Sequence, residues 1–193
     1  MTRIIGGTAR GRRLRTPSGA ATRPTSDRVR EAMFSALDAE VGSLAGLRFL
    51  DLYAGSGAVG LEARSRGAGV VTLVEHDRRT AALVRDNART LGFGSVEVVT
   101  ASVPRALLHA PRAPYDVVFL DPPYALGEAE LTADLRALVG HGWVDPGSIV
   151  VVERSSRSPE PGWPEGLRAD RSRRYGETTL WYGHAGPPQG EPA

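Results

Sequence analysis

The segment FLDPPYALG, residues 119–127, places an acid, two prolines and an aromatic ring directly after an apolar run. The prolines fix φ and remove two N–H donors, so that the turn holds its carbonyl oxygens in fixed directions. The Asp121 carboxylate is a further acceptor, and Tyr124 offers a flat aromatic face. A planar ring that carries an amino group fits such a set of groups. The segment therefore predicts a site for an aromatic amine, formed by Asp121, Pro122, Pro123 and Tyr124.

The weak nucleophilicity of such an amine indicates the chemistry. Its lone pair is delocalised into the ring, and accepting one proton at Asp121 and the other at the Pro122 carbonyl localises and aims that lone pair. A methyl sulfonium is a matching electrophile, because its methyl group is already activated. Alignment supplies up to roughly 7–11 kcal/mol, more than two hydrogen bonds do, and Tyr124 adds about 1–3 kcal/mol of stacking. A turn with a purely structural role is the alternative that the tetrad alone leaves open.

A glycine loop lies earlier, in DLYAGSGAVGLEA, residues 51–63. Gly55, Gly57 and Gly60 have the G-x-G-x-x-G spacing between a predicted strand and a predicted helix, which lets a ligand approach the backbone closely. NAD, FAD and S-adenosylmethionine proteins all use such a loop, and a tight turn without a ligand is a further alternative.

Two carboxylates narrow this choice. Asp51 ends the first predicted strand, and Glu75 ends the second, 24 positions later, where a carboxylate can accept both ribose hydroxyls. Both follow the carboxyl ends of parallel strands, on the rim where Asp121 is also expected, which predicts a nucleoside-type cofactor. A hydride-transfer enzyme has no use for the amine site, so the two motifs together favour S-adenosyl-L-methionine. The cofactor contacts that these motifs predict are Asp51, Tyr53, Ala54, Gly55, Ser56, Gly57, Glu75 and His76.

The elements that must position these motifs alternate along the chain. The apolar runs LRFLDLY, VVTLVE, VEVVT, YDVVFLD and GSIVVVE predict five parallel strands, and helical periodicity separates them. This pattern is typical of a doubly wound α/β sheet. After Glu153, LRADRSRRYGETTLWYG predicts an antiparallel hairpin with a turn near Gly176.

The amino-terminal segment predicts two short strands, in RIIGG and GRRL, around a turn. SDRVREAMFSAL predicts a helix with Ser26 or Asp27 as its N-cap, and its apolar positions Val29, Met33 and Leu37 face the core. We expect the hairpin to lie within residues 1–24, a catalytic domain to span 25–184, and residues 185–193 to form a disordered tail.

Composition excludes several classes of protein. The 193 residues include no cysteine, so disulfides, thiolate zinc sites and cysteine nucleophiles are excluded, and four scattered histidines predict no metal site. No apolar run reaches the roughly 18 residues of a membrane span. The arginine-rich start resembles a transit peptide only faintly. We expect a soluble, cytoplasmic monomer.

All 24 basic residues are arginines, and the formal net charge is only +2. Residues 1–30, however, carry eight arginines against one acid, Asp27. This concentration predicts a polyanionic partner, with a solvated surface as the alternative. The eight are Arg3, Arg10, Arg12, Arg13, Arg15, Arg23, Arg28 and Arg30.

The glycine loop and DPPY together resemble the S-adenosylmethionine-dependent amino-methyltransferases. RIIGGTARGRRLRTPSG followed by TRPTSDRVREAMFSAL resembles more specifically the bacterial 16S ribosomal RNA guanine-N2 methyltransferases of the RsmD type, from Arg3 to about Tyr182. The resemblance implies a Rossmann-like class I fold: a seven-stranded, mostly parallel sheet with a carboxy-terminal antiparallel hairpin and a small amino-terminal β-hairpin. It also implies methyl transfer to N2 of a guanine in 16S rRNA, within the assembled small ribosomal subunit and in a hairpin loop near the P site.

In this interpretation Arg10, Arg12, Arg13, Arg15, Arg23 and Arg28 bind RNA phosphates, and the guanine is splayed into the Asp121–Tyr124 pocket. The resemblance also implies cofactor contacts after the third strand, at Ser102 and Val103. Ser102 departs from the Asp or Asn that such enzymes often place near the adenine, which predicts weaker cofactor binding. A DNA adenine or protein glutamine amino-methyltransferase shares the tetrad, but the chain has no room for a DNA target-recognition domain. A non-catalytic RNA-binding module would not need Asp121 and Glu75.

Overall fold

A computed structural model describes residues 2–17 and 26–186 of the chain. Seven of its strands form one mostly parallel sheet and two form a separate small sheet, which confirms the predicted fold. The chain divides into two compact units, residues 1–102 and 103–193. The elements are β1 (Thr2–Arg3), β2 (Arg13–Leu14), α1 (Asp27–Val41), β3 (Arg48–Leu52), α2 (Ala58–Ser65), β4 (Val70–Glu75), α3 (Arg78–Thr90), β5 (Val96–Thr100), α4 (Val103–Ala106), β6 (Val117–Leu120), α5 (Glu128–Gly140), β7 (Ile149–Ser155), β8 (Leu167–Tyr175) and β9 (Thr178–Ala185).

The first unit contains three parallel strands in the order β5-β4-β3. Asp51 is in register with Leu73, and Glu75 is in register with Thr100. The residues of β3 and β4 are almost all buried, because helices cover both faces of a parallel sheet. Asp51 and Glu75 therefore lie at the carboxyl ends of neighbouring strands, as predicted.

Helix α1 begins as the sequence indicates. The Ser26 hydroxyl accepts a hydrogen bond from the Val29 amide at 3.3 Å, which satisfies one of the amides that a helix start leaves free. Val29, Met33 and Leu37 are buried, so the predicted apolar face packs into the core.

The amino-terminal hairpin packs on the first unit. Strands β1 and β2 pair antiparallel, with Thr2 opposite Leu14. The hairpin residues Ile4, Ala9 and Leu14 join a hydrophobic cluster with Ala58 and Leu61 of α2. The predicted hairpin therefore has a core of its own against α2.

The second unit contains the strands β6-β7-β9-β8, in that order. Strand β7 is parallel to β6 and antiparallel to β9, and β9 pairs with β8 through a tight turn in which Gly176 has φ +63°. The predicted hairpin is present, with its turn where expected. Ala185 is the last residue of β9 and is buried, so the prediction of a disordered tail from residue 185 was wrong at that residue. Residues 187–193 lie outside the part of the chain that the structure describes.

Within residues 2–17 and 26–186, no helix has the length and apolar content needed to cross a bilayer.

Candidate active site

The glycine loop connects β3 to α2 in a conformation that needs two of its glycines for packing. Gly57 is the N-cap of α2 and has φ +78°, in the left-handed region. A Cβ at Gly57 would lie 2.8 Å from the Val84 side chain, and a Cβ at Gly60 would lie 2.7 Å from Leu73. These glycines let the loop and helix lie directly on α3 and β4.

Gly55 has a different environment. It also has a positive φ, +54°, but a Cβ there would meet no atom within 4 Å. Its amide donates to Glu75 Oε2 at 3.0 Å, so the loop is fastened to the end of β4. The backbone at Gly55 thus faces open space, and the loop has room for the close approach of a nucleoside cofactor.

Glu75 is the centre of a small hydrogen-bond network at the end of β4. Its Oε1 accepts from the Asp77 amide at 2.8 Å and lies 3.1 Å from His76 Nδ1. Asp77 in turn caps α3 by accepting from the Thr80 amide at 2.7 Å, a bond that lowers the pKa of Asp77. The Glu75 carboxylate is buried and held in one orientation, whereas the His76 side chain is exposed.

Asp51 is buried beneath the same loop. Its Oδ2 accepts from the Gly60 amide at 2.8 Å. Burial raises the pKa of Asp51 to about 7, against the Gly60 hydrogen bond, and the nearby Glu75 charge raises it further. Two residues on, Tyr53 has φ +61°, a strained conformation for an aromatic residue that recurs at ligand sites.

The remaining predicted cofactor residues have contrasting environments. Ala54 donates its amide to Val74 O at 2.9 Å and accepts from the Gly57 amide at 2.8 Å, so it shapes the loop through its backbone. The Ser56 carbonyl accepts from Asn87 Nδ2 at 3.3 Å. Ser102 is exposed at the end of the first unit, and Val103 is buried at the start of the second.

The DPPY segment leaves β6 as a tight turn. The Pro123 carbonyl accepts from the Leu126 amide at 2.9 Å, so this carbonyl closes the turn. Asp121 is partly buried and Pro122 is buried, whereas Pro123 is exposed and Tyr124 at the tip is 73% exposed. A large aromatic side chain with so little packing is available to stack on a ligand.

Arg154 is a residue near this turn that sequence reasoning missed. It lies near the end of β7, is buried, and donates to Leu126 O at 3.2 Å. It also pairs with Glu128 in the first turn of α5. Arg154 therefore fastens the end of the DPPY turn to the start of the next helix. A charged residue within an apolar strand was the available signal.

Most of the predicted RNA-binding arginines are exposed. Arg10, Arg12, Arg13, Arg15 and Arg28 are all exposed, whereas Arg23 lies outside the described residues. Arg12 donates to Thr90 O at 2.9 Å, and Arg15 lies 3.9 Å from Asp86.

Arg30 does not belong to the exposed cationic surface, contrary to the prediction. Its side chain is fully buried, donates to Arg3 O at 2.6 Å and pairs with Asp27. A buried guanidinium needs polar partners, and Arg30 finds one of them in the backbone of the hairpin. Arg30 therefore fastens α1 to the hairpin.

Three polar residues that sequence reasoning missed hold the hairpin in place. Glu62 is fully buried and accepts from the amides of Ile5 and Gly6, each at 2.7 Å. The Ser65 hydroxyl donates to Gly6 O at 2.7 Å. Asn87 exchanges two 2.9 Å hydrogen bonds with the backbone of Arg15 and also donates to the glycine loop. Their signal was their polarity on otherwise apolar helix faces.

Comparison with known proteins decides the family. The model of the family described as Conserved hypothetical protein 95 matches residues 2–184. The chain belongs to this family, which is the RsmD type of methyltransferase. The resemblance seen in the sequence is thereby confirmed.

Relatives match over most of their length. The chain is 37% identical over 175 residues to ribosomal RNA small subunit methyltransferase D of Escherichia coli K12, covering 91% of this chain and 85% of that one. The solved structure of Escherichia coli yhhF superposes with a TM-score of 0.83 at 32% identity, over 96% and 98% of the two chains. A hypothetical protein of Thermus thermophilus gives 0.76 at 36% identity, over 94% and 98%.

Proposed function

We propose that this methyltransferase transfers a methyl group from S-adenosyl-L-methionine to N2 of a guanine in 16S rRNA of the small ribosomal subunit. The observation that carries the proposal is the DPPY turn, which leaves a parallel strand with Tyr124 exposed. The name of the Escherichia coli relative supports ribosomal RNA as the substrate. In this proposal the enzyme acts as a monomer in the cytoplasm, and its reaction needs no metal ion.

The residues of the first unit would hold the cofactor. The open space at Gly55 accommodates it, and the oriented Glu75 carboxylate accepts hydrogen bonds from its ribose. Asp51 supports the loop from below, and Ser102 accepts from the adenine amine. When bound, S-adenosyl-L-methionine supplies an activated methyl group on a sulfonium.

The DPPY residues would act on the guanine. The Asp121 carboxylate and the Pro122 carbonyl accept the two N2 protons, which localises the nitrogen lone pair and directs it. Tyr124 stacks on the base and holds its plane, and its ring favours the cationic charge that develops on the amine. Methyl transfer to N2 would break the bond between the methyl carbon and the sulfonium sulfur, with S-adenosyl-L-homocysteine as the leaving group. N2 would lose one proton to the Asp121 carboxylate, so that the product amine is neutral.

The basic hairpin would bind the RNA backbone. Its exposed arginines lie on a segment that Glu62, Ser65 and Asn87 hold rigidly, so that phosphate contacts fix the register of the RNA. Residues 1–24 are in this proposal the RNA-binding arm, residues 25–184 the catalytic domain, and Arg23 contributes with the other predicted arginines.

One assay tests the proposal. Labelled S-adenosyl-L-methionine is supplied in parallel with unmodified small subunits, free ribosomal RNA, duplex DNA and a glutamine-containing peptide. We expect label on the small subunits, and N2-methylguanine when the RNA is digested and analysed by mass spectrometry. Label on adenine in DNA or on glutamine would replace this function by another amino-methyltransferase activity.

A further inference from the structure

The carboxy-terminal hairpin carries a concentration of arginine that the functional assignment has not used. Strand β8 contains four arginines and one acid in its nine residues. Three of these arginines, Arg168, Arg173 and Arg174, are exposed, and β8 is the last strand of its sheet order. Arg171 is different, because it packs over the Tyr182 ring and pairs with Asp170.

Strand register shows which end of the second unit each arginine occupies. Leu120, the last residue before Asp121, pairs with Val152, and the next residue of β7, Glu153, pairs with Leu180. Leu180 in turn pairs with Arg173. Arg173 and Arg174 therefore lie at the same end of this sheet as the DPPY turn.

Arg168 lies at the opposite end of β8. It pairs with His184, which pairs with Ile149 at the amino end of β7. It has the same charge and a similar exposure to Arg173, on the same strand.

A third exposed arginine joins Arg173 and Arg174 at the end that carries the turn. Arg157 follows the carboxyl end of β7 by two residues and is exposed. The loop that carries it is fastened to the hairpin turn, because the Ser156 amide donates to Glu177 O at 2.8 Å. We call Arg157, Arg173 and Arg174 the rim arginines.

The rim arginines keep their charge available. Arg173 and Arg174 donate to backbone carbonyls, those of Ser172 and Gly176, and within the described residues none of the three rim arginines pairs with a carboxylate. An exposed guanidinium without an ionic partner suits a phosphate, which it can bind through two parallel hydrogen bonds.

We propose that the rim arginines form a second RNA-binding surface, which binds the phosphates that flank the target guanine. The proposal rests on the proposed function. From β6 to β8 there are three strand steps of about 4.8 Å, so Arg173 and Arg174 lie about 14 Å across the sheet from the DPPY turn, whereas Arg157 follows β7, one strand step of about 4.8 Å from β6. A few nucleotides of single-stranded RNA cover this distance. A guanine that is splayed out beside Tyr124 brings its neighbouring phosphates to this rim.

A charge-matched pair of triple variants tests the proposal. The rim variant combines Arg157→Gln, Arg173→Gln and Arg174→Gln. The control variant combines Arg112→Gln, Arg136→Gln and Arg168→Gln, which removes the same charge from exposed positions of the same unit. Arg168 lies at the opposite end of β8, Arg112 precedes β6, and Arg136 lies in the carboxy-terminal half of α5. Steady-state methylation of small subunits is measured from low to high salt.

We expect the rim variant to raise KM for small subunits about tenfold, with kcat and the Kd for S-adenosyl-L-methionine unchanged. The slope of the logarithm of affinity against the logarithm of salt concentration should become about 2 less steep, since three phosphate contacts to a single strand contribute about 0.7 each. The control variant keeps the wild-type KM and slope. A rim variant with the same KM and slope as the control would overturn the proposal.

Two further measurements distinguish a failure of this proposal from a failure of the proposed function or of folding. If wild-type protein does not methylate small subunits, the proposed function fails, and anisotropy with a fluorescent single-stranded RNA still compares rim and control variants directly. Equal RNA affinity of the two variants would then overturn the second surface. If the triple variant does not fold, Arg157→Gln alone, outside the strands, must still weaken RNA binding relative to Arg168→Gln.

Discussion

The glycine loop and the DPPY turn both follow a parallel strand, but the chain supports them in different ways. The glycine loop lies over the buried Asp51 and is fastened to Glu75 and Asn87, and two of its glycines pack against neighbouring side chains. The DPPY turn ends at an aromatic ring that is 73% exposed.

Because of this difference, substitutions in the two segments should affect different quantities, the free energy of unfolding and the rate of turnover. A residue that packs or hydrogen-bonds inside the protein contributes to the free energy of unfolding, whereas an exposed side chain contributes little to it. Changes in the glycine loop should therefore affect the fold as well as the cofactor. Changes at the exposed Tyr124 should affect turnover and leave the fold intact.

The largest effect is expected at Asp121. Asp121→Asn should lower kcat about 10³-fold, roughly 4 kcal/mol of transition-state stabilisation, because an oriented charge acceptor is lost. Calorimetry should show an unchanged Kd for S-adenosyl-L-methionine, which separates a loss of chemistry from a loss of cofactor binding. Glu165→Gln, at an exposed carboxylate of the same unit, is the control. Retained activity would remove Asp121 from the chemistry.

Asp51 should make stability depend on pH. Its folded pKa is about 7 and the unfolded carboxyl titrates near 4, so the folded state binds more protons between these values. The wild-type free energy of unfolding therefore loses a contribution of a few kcal/mol as pH rises from about 4 to about 7, and is level above.

Asp51→Asn stays neutral at every pH and lacks this loss. Urea unfolding from pH 4.5 to 8.5 should show the variant gaining on the wild-type protein up to about pH 7, with no further gain beyond. Parallel curves for the two proteins would contradict a raised pKa at Asp51.

Two glycines of one loop should respond differently to a methyl group. Gly57→Ala should lower the free energy of unfolding by about 2–4 kcal/mol, because a left-handed φ and a clash with Val84 add up. Gly55→Ala meets open space and should cost about 1–2 kcal/mol for its φ alone, yet it should weaken cofactor binding. Urea unfolding and calorimetry measure the two effects. Equal stability of both variants would show that packing at Gly57 is not limiting.

Tyr124 should affect turnover less than Asp121 does. Tyr124→Ala removes a stacking face and should lower kcat/KM for small subunits by about 1–3 kcal/mol, or roughly 5- to 150-fold. Tyr124→Phe keeps the ring and should retain most of the activity. The urea midpoints of both variants should match the wild-type protein, since the side chain is exposed. A large loss of stability in either variant would contradict the expectation that the tip of the DPPY turn, unlike the glycine loop, contributes little to the free energy of unfolding.

Sequence reasoning predicted the elements well because their signals are local. The five parallel strands, the carboxy-terminal hairpin and the Ser26 cap all follow from spacing and residue type within a few positions. It failed at Arg30, which was counted with an exposed surface, and at Ala185, which was placed in a tail. Both residues are buried by partners elsewhere in the chain, which no local pattern reveals.

The sequence by itself determined the strand order along the chain, the glycine spacing, the DPPY tetrad and the family, because each is a matter of residue type at short range. Only the tertiary structure decided how the hairpin is held: Glu62 bonds to Gly6 across 56 positions, and Asn87 bonds to Arg15 across 72. It also decided which of the β8 arginines share an end of the sheet with the DPPY turn, since strand register is set by pairing between distant segments.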